Sequence, residues 1–163
     1  MNRRRARRAV LFFGLLFAFI CCAFAKSYQG LKAPTLGSQA PQPLDACPTA
    51  KCLTVYLAPW CPHCRAATPM ILALREYLRM RGVTTRVVIG LDKEGPVRAY
   101  AATFGPGTFL DPQGRVSPSG GVPAFLVSDP TGKIVSQRSG APPERSPFSE
   151  AVLAKIAEGF GLP

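Results

Sequence analysis

Apolar residues along this chain change their spacing in an order that predicts alternating strands and helices. Residues 9–25 run without a charge, and residues 26–46 then lose apolar periodicity and become rich in Pro, Gly, Ser and Gln. That composition predicts an irregular lead-in or linker. Residues 53–58 (Leu-Thr-Val-Tyr-Leu-Ala) form a continuous run that predicts a buried strand. Over residues 62–81, Ala67, Met70, Ile71, Leu74 and Leu78 recur at helical spacing, while Arg65, Arg75, Arg79 and Arg81 take the outer face. Gly82 is placed to end that helix. A second strand is expected over 84–91, a short helix over 96–104 and a long Gly/Pro-punctuated segment over 105–121. Residues 124–128 and 133–138 predict a hairpin around Asp129-Pro130-Thr131-Gly132. Ser146-Pro147 predicts the start of a last helix, Ser as N-cap and Pro in the first helical position, with Phe148, Val152, Leu153, Ile156 and Phe160 inward. The order β-α-β-α-β-β-α predicts a layered α/β domain over 47–163. Residues 109–116 echo 125–134, which predicts two similar hairpins; one echo does not make a repeat architecture.

The N-terminus changes the compartment. Arg3, Arg4, Arg5, Arg7 and Arg8 precede the apolar stretch, which ends Ala23-Phe24-Ala25. A basic region, an apolar region and a small-x-small end predict that 1–25 is a secretory signal cut after Ala25. The alternative is an uncleaved membrane anchor, since the stretch reaches the short limit for crossing a bilayer. In both cases the arginines stay inside and the rest of the chain is periplasmic or otherwise extracytoplasmic, free or tethered to the inner membrane. Bulky Phe19 and Ile20 before Cys21-Cys22 argue against lipidation there, and Arg7-Arg8 is a slight twin-arginine signal. The formal charge of +11 owes five units to those arginines. The remaining positive charge is spread over helix faces and loops, so a solvated basic surface is expected and a nucleic-acid partner is not.

Without 1–25, four cysteines of six remain: Cys47, Cys52, Cys61 and Cys64. An even count in an exported chain suits an oxidising compartment. Trp60-Cys61-Pro62-His63-Cys64 lies between the strand over 53–58 and the helix over 62–81. Two cysteines two residues apart at a strand-to-helix junction have the geometry of a dithiol that opens and closes a disulfide. The helix N-terminus favours thiolate, the form that attacks. A zinc site built from Cys47-x4-Cys52 and Cys61-x2-Cys64 is the metal alternative, though a zinc ribbon needs neither the tryptophan nor the long helix. No metal and no other cofactor is expected. His63, the only histidine, is either an exposed helix residue without a role or a group that favours the Cys61 thiolate and so makes the pair a stronger oxidant.

These residues resemble the thioredoxin-fold domain of exported thiol–disulfide oxidoreductases. Trp60-Cys61-x-x-Cys64 matches the active site, Pro69 the kink proline of its helix, Val122-Pro123 the cis-proline that faces the disulfide, and Gly140-Ala141 the small pair before the last helix. The resemblance implies a thioredoxin-like three-layer α/β sandwich with a central mixed sheet. It implies Cys61 as nucleophile and Cys64 as resolving thiol. Trp60, Pro62, Val122 and Pro123 would bind the client, Val122 by backbone pairing with an extended peptide. Cys-Pro-His-Cys resembles DsbA-type oxidases, as does Gly121-Val122-Pro123-Ala124. Yet only residues 92–122 lie between the second strand and Pro123, which resembles compact TlpA/ResA-like reductases. Val55 stands where the family usually has a buried acid. Cys47 and Cys52 are expected to close a small structural disulfide, with a second redox pair as the alternative. The expected partners are cysteine-containing extracytoplasmic clients and a membrane or soluble redox partner. Three functions stay open: a disulfide-forming or exchanging oxidoreductase, a membrane-coupled reductase, and a non-catalytic binding or metal-handling module.

Overall fold

The structure, a computed structural model, describes Tyr28 and residues 30–163. The signal or anchor expected over 1–25 lies outside the described residues. At the centre is β3 (Cys52–Leu57), all six residues of which are buried. It pairs in parallel with β4 (Thr84–Gly90), from Cys52↔Thr84 to Leu57↔Ile89, and antiparallel with β6 (Ala124–Ser128), from Cys52↔Ser128 to Tyr56↔Ala124. Pairing on both edges and cover on both faces explain why its apolar run does not alternate. Side chains still alternate in direction. Leu53, Val55, Leu57, Val87, Ile89, Phe125 and Val127 join one core cluster, whereas Tyr56, Val88, Ala124 and Leu126 join the other.

The three helices of the described residues contribute to the first cluster: α1 (Pro62–Met80), α2 (Glu94–Ala101), which runs into a 3₁₀ turn (Ala102–Phe104), and α3 (Glu150–Gly159). The inward face of α1 is the expected one, Ala67, Met70, Ile71, Leu74 and Leu78, with Tyr77 added. Gly82, at φ 70°, ends it, and the Val83 amide returns to the Leu78 carbonyl at 2.9 Å. The last helix starts later than its Ser-Pro signal predicts. Ser149 is the N-cap, its hydroxyl accepting from the Val152 amide, and the Ser146–Pro147 bond before it is cis. A start at Glu150 puts Leu153, Ile156 and Ala157 on the core, with Phe148 and Val152 packed at its margin.

Among the described residues the opposite face carries no helix. The lead-in expected to be irregular instead holds β1 (Lys32–Thr35) and β2 (Ser38–Pro43), an antiparallel hairpin docked through Thr35↔Phe109 on β5 (Phe109–Asp111). Its strands lack apolar alternation because β2 is an exposed edge, where Pro41 and Pro43 blunt further pairing. The hairpin's Ala33 and the flanking Tyr28 and Leu44 cover this face. With β7 (Ile134–Ser139) on β6, the mixed seven-stranded sheet runs β2-β1-β5-β4-β3-β6-β7. The hairpin around residues 129–132 forms as expected, the Gly132 amide bonding the Asp129 carbonyl at 3.0 Å. Its echo differs. The Gly114 amide makes the matching 3.0 Å bond to Asp111, but no strand follows and β5 pairs with β4 and β1 instead of closing a second hairpin.

Asp111 ties the two ends of the sheet's second face. Its carboxylate accepts from the buried Tyr56 hydroxyl at 2.8 Å and from the Arg115 and Val116 amides at 2.8 and 3.0 Å. Gly90, between them, has no room for a Cβ, which would collide with the Tyr56 hydroxyl and the Asp111 carbonyl. Asp111→Ala strands three donors in or near the core, so a loss of about 2–4 kcal/mol in denaturant titration is expected. A loss within measurement error would mean that water takes over all three bonds.

Candidate active site

β3 ends at Leu57, and the chain turns through Ala58, Pro59 and Trp60 so that Cys61 becomes the N-cap of α1. The Cys61 amide bonds the Ala58 carbonyl at 3.2 Å, and its sulfur accepts from the Cys64 amide at 3.3 Å. Pro62 opens the helix without an amide to waste, and no acidic residue occupies the first turn. A sulfur in this position takes the role that a Ser or Asp oxygen usually plays, and negative charge on it faces the positive end of the helix.

Val122 meets this sulfur from the other side, where the Cys61 thiol donates to the Val122 carbonyl at 3.5 Å. The Val122–Pro123 bond is cis, Pro123 is buried, and its carbonyl accepts from the Gly140 amide at 2.8 Å. The structure thus brings Trp60, Cys61, Pro62, Cys64, Val122 and Pro123 together. Cys47 and Cys52 are elsewhere. They form a disulfide of 2.03 Å at the opposite end of β3, about 17 Å away along the strand. With those two sulfurs bonded to each other, a four-thiolate zinc site is not available. Among the described residues no group of three or more His, Cys, Asp or Glu could hold a metal ion.

Both cysteines of the motif are buried, Cys61 at 3% exposure and Cys64 at 0%, so the first is less open to solvent than a helix N-terminus suggests, but their surroundings differ. Cys64 is fully buried, and burial is the main reason its thiol is pushed up to about 12. A hydrogen bond with the Ala58 backbone works against that shift, while the neighbouring Cys61 thiol adds to it. Val55 beneath is buried and apolar. His63 and Pro62 are exposed, and among the described residues His63 makes no hydrogen bond or ion pair.

Three neighbours were not singled out by the sequence. Trp60 is 58% exposed but fixed, its indole N–H donating to the Leu91 carbonyl at 2.8 Å. Leu91 does not continue β4. It turns into the left-handed region at φ 61°, and its side chain, which is exposed, lies against Gly114. A conformation so rarely adopted by a branched residue is a recurrent mark of functional surfaces, though no sequence pattern announces it. Thr68 and Tyr100 both place hydroxyls on the Cys64 carbonyl, at 3.2 and 2.9 Å. Thr68 had a legible signal, a hydroxyl four residues after Cys64 in a helix. Tyr100, from another helix, had none.

No protein-family model matches the chain. It is 29% identical over 114 residues to the thiol:disulfide interchange protein DsbE homolog of Paracoccus denitrificans (strain Pd 1222), covering 66% of this chain. The match spans 60% of that relative's length. Among solved structures, it is similar to the thioredoxin domain of a thiol-disulfide oxidoreductase from Bacteroides vulgatus, with TM-score 0.60 and 16% identity, covering 85% of this chain and 98% of that one. It is also similar to a secreted Mycobacterium tuberculosis disulfide oxidoreductase homologous to E. coli DsbE, with TM-score 0.55 and 18% identity, covering 79% and 95%. The fold is thioredoxin-like, as the residues around Cys61 implied.

Burial of Cys64 has a signed consequence for stability. A thiol raised from 9.0 to about 12 on folding holds its proton more tightly in the native state. The stabilisation is complete below pH 9 and is lost as pH rises through about 12. Reduced protein should therefore lose stability over that window more steeply than oxidised protein, in which Cys64 does not titrate. Equal slopes for the two forms in denaturant titrations would contradict the burial of that thiol.

Proposed function

We propose that this protein is a thiol–disulfide oxidoreductase that forms or exchanges disulfides in extracytoplasmic client proteins through Cys61 and Cys64. The observation that carries the reading is the pair's asymmetry. One sulfur caps a helix beside a cis-proline backbone, and the other is sealed behind it. In the oxidised form, a client thiolate attacks Cys61 Sγ, the Cys61–Cys64 bond breaks, and the electron pair leaves on Cys64, which takes up a proton. A second client thiolate then attacks the client sulfur of the mixed disulfide and releases Cys61 as thiolate. The client has lost two electrons and the pair has gained them. The Val122 carbonyl and the Trp60–Leu91 surface are assigned to holding the client strand during this attack. His63 is assigned to favouring charge on Cys61 through space.

The name of the Paracoccus relative supports thiol–disulfide interchange, and the word "secreted" for the mycobacterial neighbour agrees with the export signal read over 1–25. The reductase role runs the same steps backwards, with a membrane electron donor restoring the dithiol. The compact segment over 92–122 favours that alternative, so the potential of the pair decides direction. Measured against glutathione, His63→Ala is expected to make the pair a weaker oxidant, because the reduced form loses stabilisation; about 30 mV corresponds to roughly 1.4 kcal/mol. An unchanged potential would remove His63 from the mechanism.

Cys61→Ser is expected to abolish exchange with a model disulfide protein, and Cys64→Ser to accumulate mixed disulfides that mass mapping places on Cys61. The same mapping after mild reduction should find Cys61 and Cys64 alkylated and Cys47–Cys52 still closed. Full turnover by Cys61→Ser would refute the assignment, and simultaneous opening of both pairs would favour a relay between them.

A further inference from the structure

Cys64 must lose a proton whenever it attacks a mixed disulfide, yet no carboxylate lies at Val55 and burial holds the proton on. Beside Cys64 stands a pair of hydroxyls instead. Tyr100 Oη reaches from α2 to 2.9 Å from the Cys64 carbonyl oxygen. Thr68 Oγ1, one turn along α1, lies 3.2 Å from the same oxygen and 2.8 Å from Tyr100 Oη. Three contacts share two hydroxyl protons, so every arrangement that uses both leaves at least one on the Cys64 carbonyl. Pro69, which follows Thr68, has no amide for the Arg65 carbonyl, so the ladder is interrupted one residue beyond Cys64.

We propose that Tyr100, together with Thr68, is a positioning residue for the resolving thiol, holding the first turn of α1 and lowering the cost of negative charge on Cys64 Sγ. The inference rests on the exchange reaction proposed above. The Cys64 carbonyl belongs to one of the two peptide dipoles that flank this sulfur, and its negative end lies part-buried at the same turn. A hydroxyl proton on that oxygen offsets the dipole and adds a positive end beside it, which favours the thiolate. The coupling is reciprocal. Burial first, and then the charges of Cys64 and Cys61, raise the pKa of Tyr100 against the opposing pull of the Thr68 hydrogen bond and the Arg65 charge, so the phenol stays protonated and remains a donor as the thiolate forms.

The surroundings make this separable from other effects. The ionisable groups around Cys64 are Cys61, His63 and Arg65 on its own helix and Tyr100 on α2, while the strands beneath present Val55, Leu57 and Phe125. Arg65 is already engaged, its Nε donating to the Pro59 carbonyl at 2.7 Å. The segment bearing Tyr100 is also tied down without its hydroxyl. Its ring packs edge-on against Phe104 at 5.6 Å, and the Phe104 carbonyl accepts from Arg75 Nη1 at 2.9 Å. Tyr100→Phe therefore removes one oxygen and leaves the packing.

Reduced full-length protein mixed with dithiobis(nitrobenzoate) provides the test, because it releases two nitrothiolates in sequence. The first release reports attack by Cys61, and the second reports attack by Cys64 on the resulting mixed disulfide. Tyr100→Phe and Thr68→Val are each expected to slow the second release roughly three- to tenfold at neutral pH and to move its pH midpoint upward. The first release should be unchanged, and Thr68→Ser should behave as wild type. A second-release pH profile that stays put in both hydroxyl-deleting variants, whatever their melting temperatures, would overturn the inference. So would equal slowing of both releases, which would mean general displacement of the helix. Wild-type protein that shows no second release would instead refute the Cys61–Cys64 exchange reaction itself.

Discussion

β3 is hydrogen-bonded along both edges and covered on both faces, and the rest of the molecule is arranged by what that requires. A strand in this position cannot slip, because a one-residue shift would exchange Leu53, Val55 and Leu57 for Thr54 and Tyr56 on the helix-facing side. Its end is therefore a fixed point. The three-residue turn after it starts α1 at a defined place, and that places the Cys61 sulfur over the first amides of the helix. The second anchor is β6, the antiparallel neighbour of β3, because Pro123 immediately precedes it. One strand pair thus sets the distance between the Cys61 sulfur and the Val122 carbonyl.

The two faces of the sheet are closed by different means, and this determines where polar groups are buried. On the helix side the core is apolar except for the sulfurs and the hydroxyl-bearing side chains of Tyr77, Thr68 and Tyr100. On the other side a hairpin and its flanks replace a helix layer. The cover is thinner, and a carboxylate, Asp111, binds a tyrosine and two loop amides together. Asp111 belongs to β5, beside the strand that ends at Leu91, and its carbonyl also accepts the Leu91 amide at 3.3 Å. Leu91 is thus held by its amide to β5 and by its carbonyl to Trp60. The surface beside the dithiol is thereby pinned to the sheet, and for the client docking proposed here that lowers the ordering cost.

Cys61 and Cys64 are three residues apart yet solve opposite problems. The helix terminus offers Cys61 an amide and a favourable dipole, while Cys64, one turn in, receives mainly burial. The difference follows from helix geometry, since residues i and i+3 share a face but only the first lies beyond the first turn. In the exchange reaction proposed above, that difference alone sets the order in which the two sulfurs are attacked.

Spacing along the chain was enough to read the alternation of strands and helices over 47–163, the inward face of α1 with its glycine end, the hairpin around residues 129–132 and the strand-to-helix placement of Cys61 and Cys64. These are local or periodic properties, written in spacing and turn chemistry, and they need no knowledge of distant residues. It gave a wrong start for α3, because Ser146-Pro147 and Ser149-Glu150 both carry starting signals and only packing of Leu153 and Ile156 on the core selects between them. It missed β1 and β2, because an edge hairpin without apolar alternation becomes strand only through the partner it docks on. It overread the echo at 109–116, since the turn is local but the strand that would complete a hairpin is not. Tertiary structure alone decided that Tyr100 meets Cys64, that Leu91 turns to hold Trp60 and that Asp111 meets Tyr56. Each of these contacts joins residues more than thirty positions apart, at separations of 36, 31 and 55. Only the closing of the sheet and its covering layers brings such groups within the 3 Å at which a hydrogen bond forms.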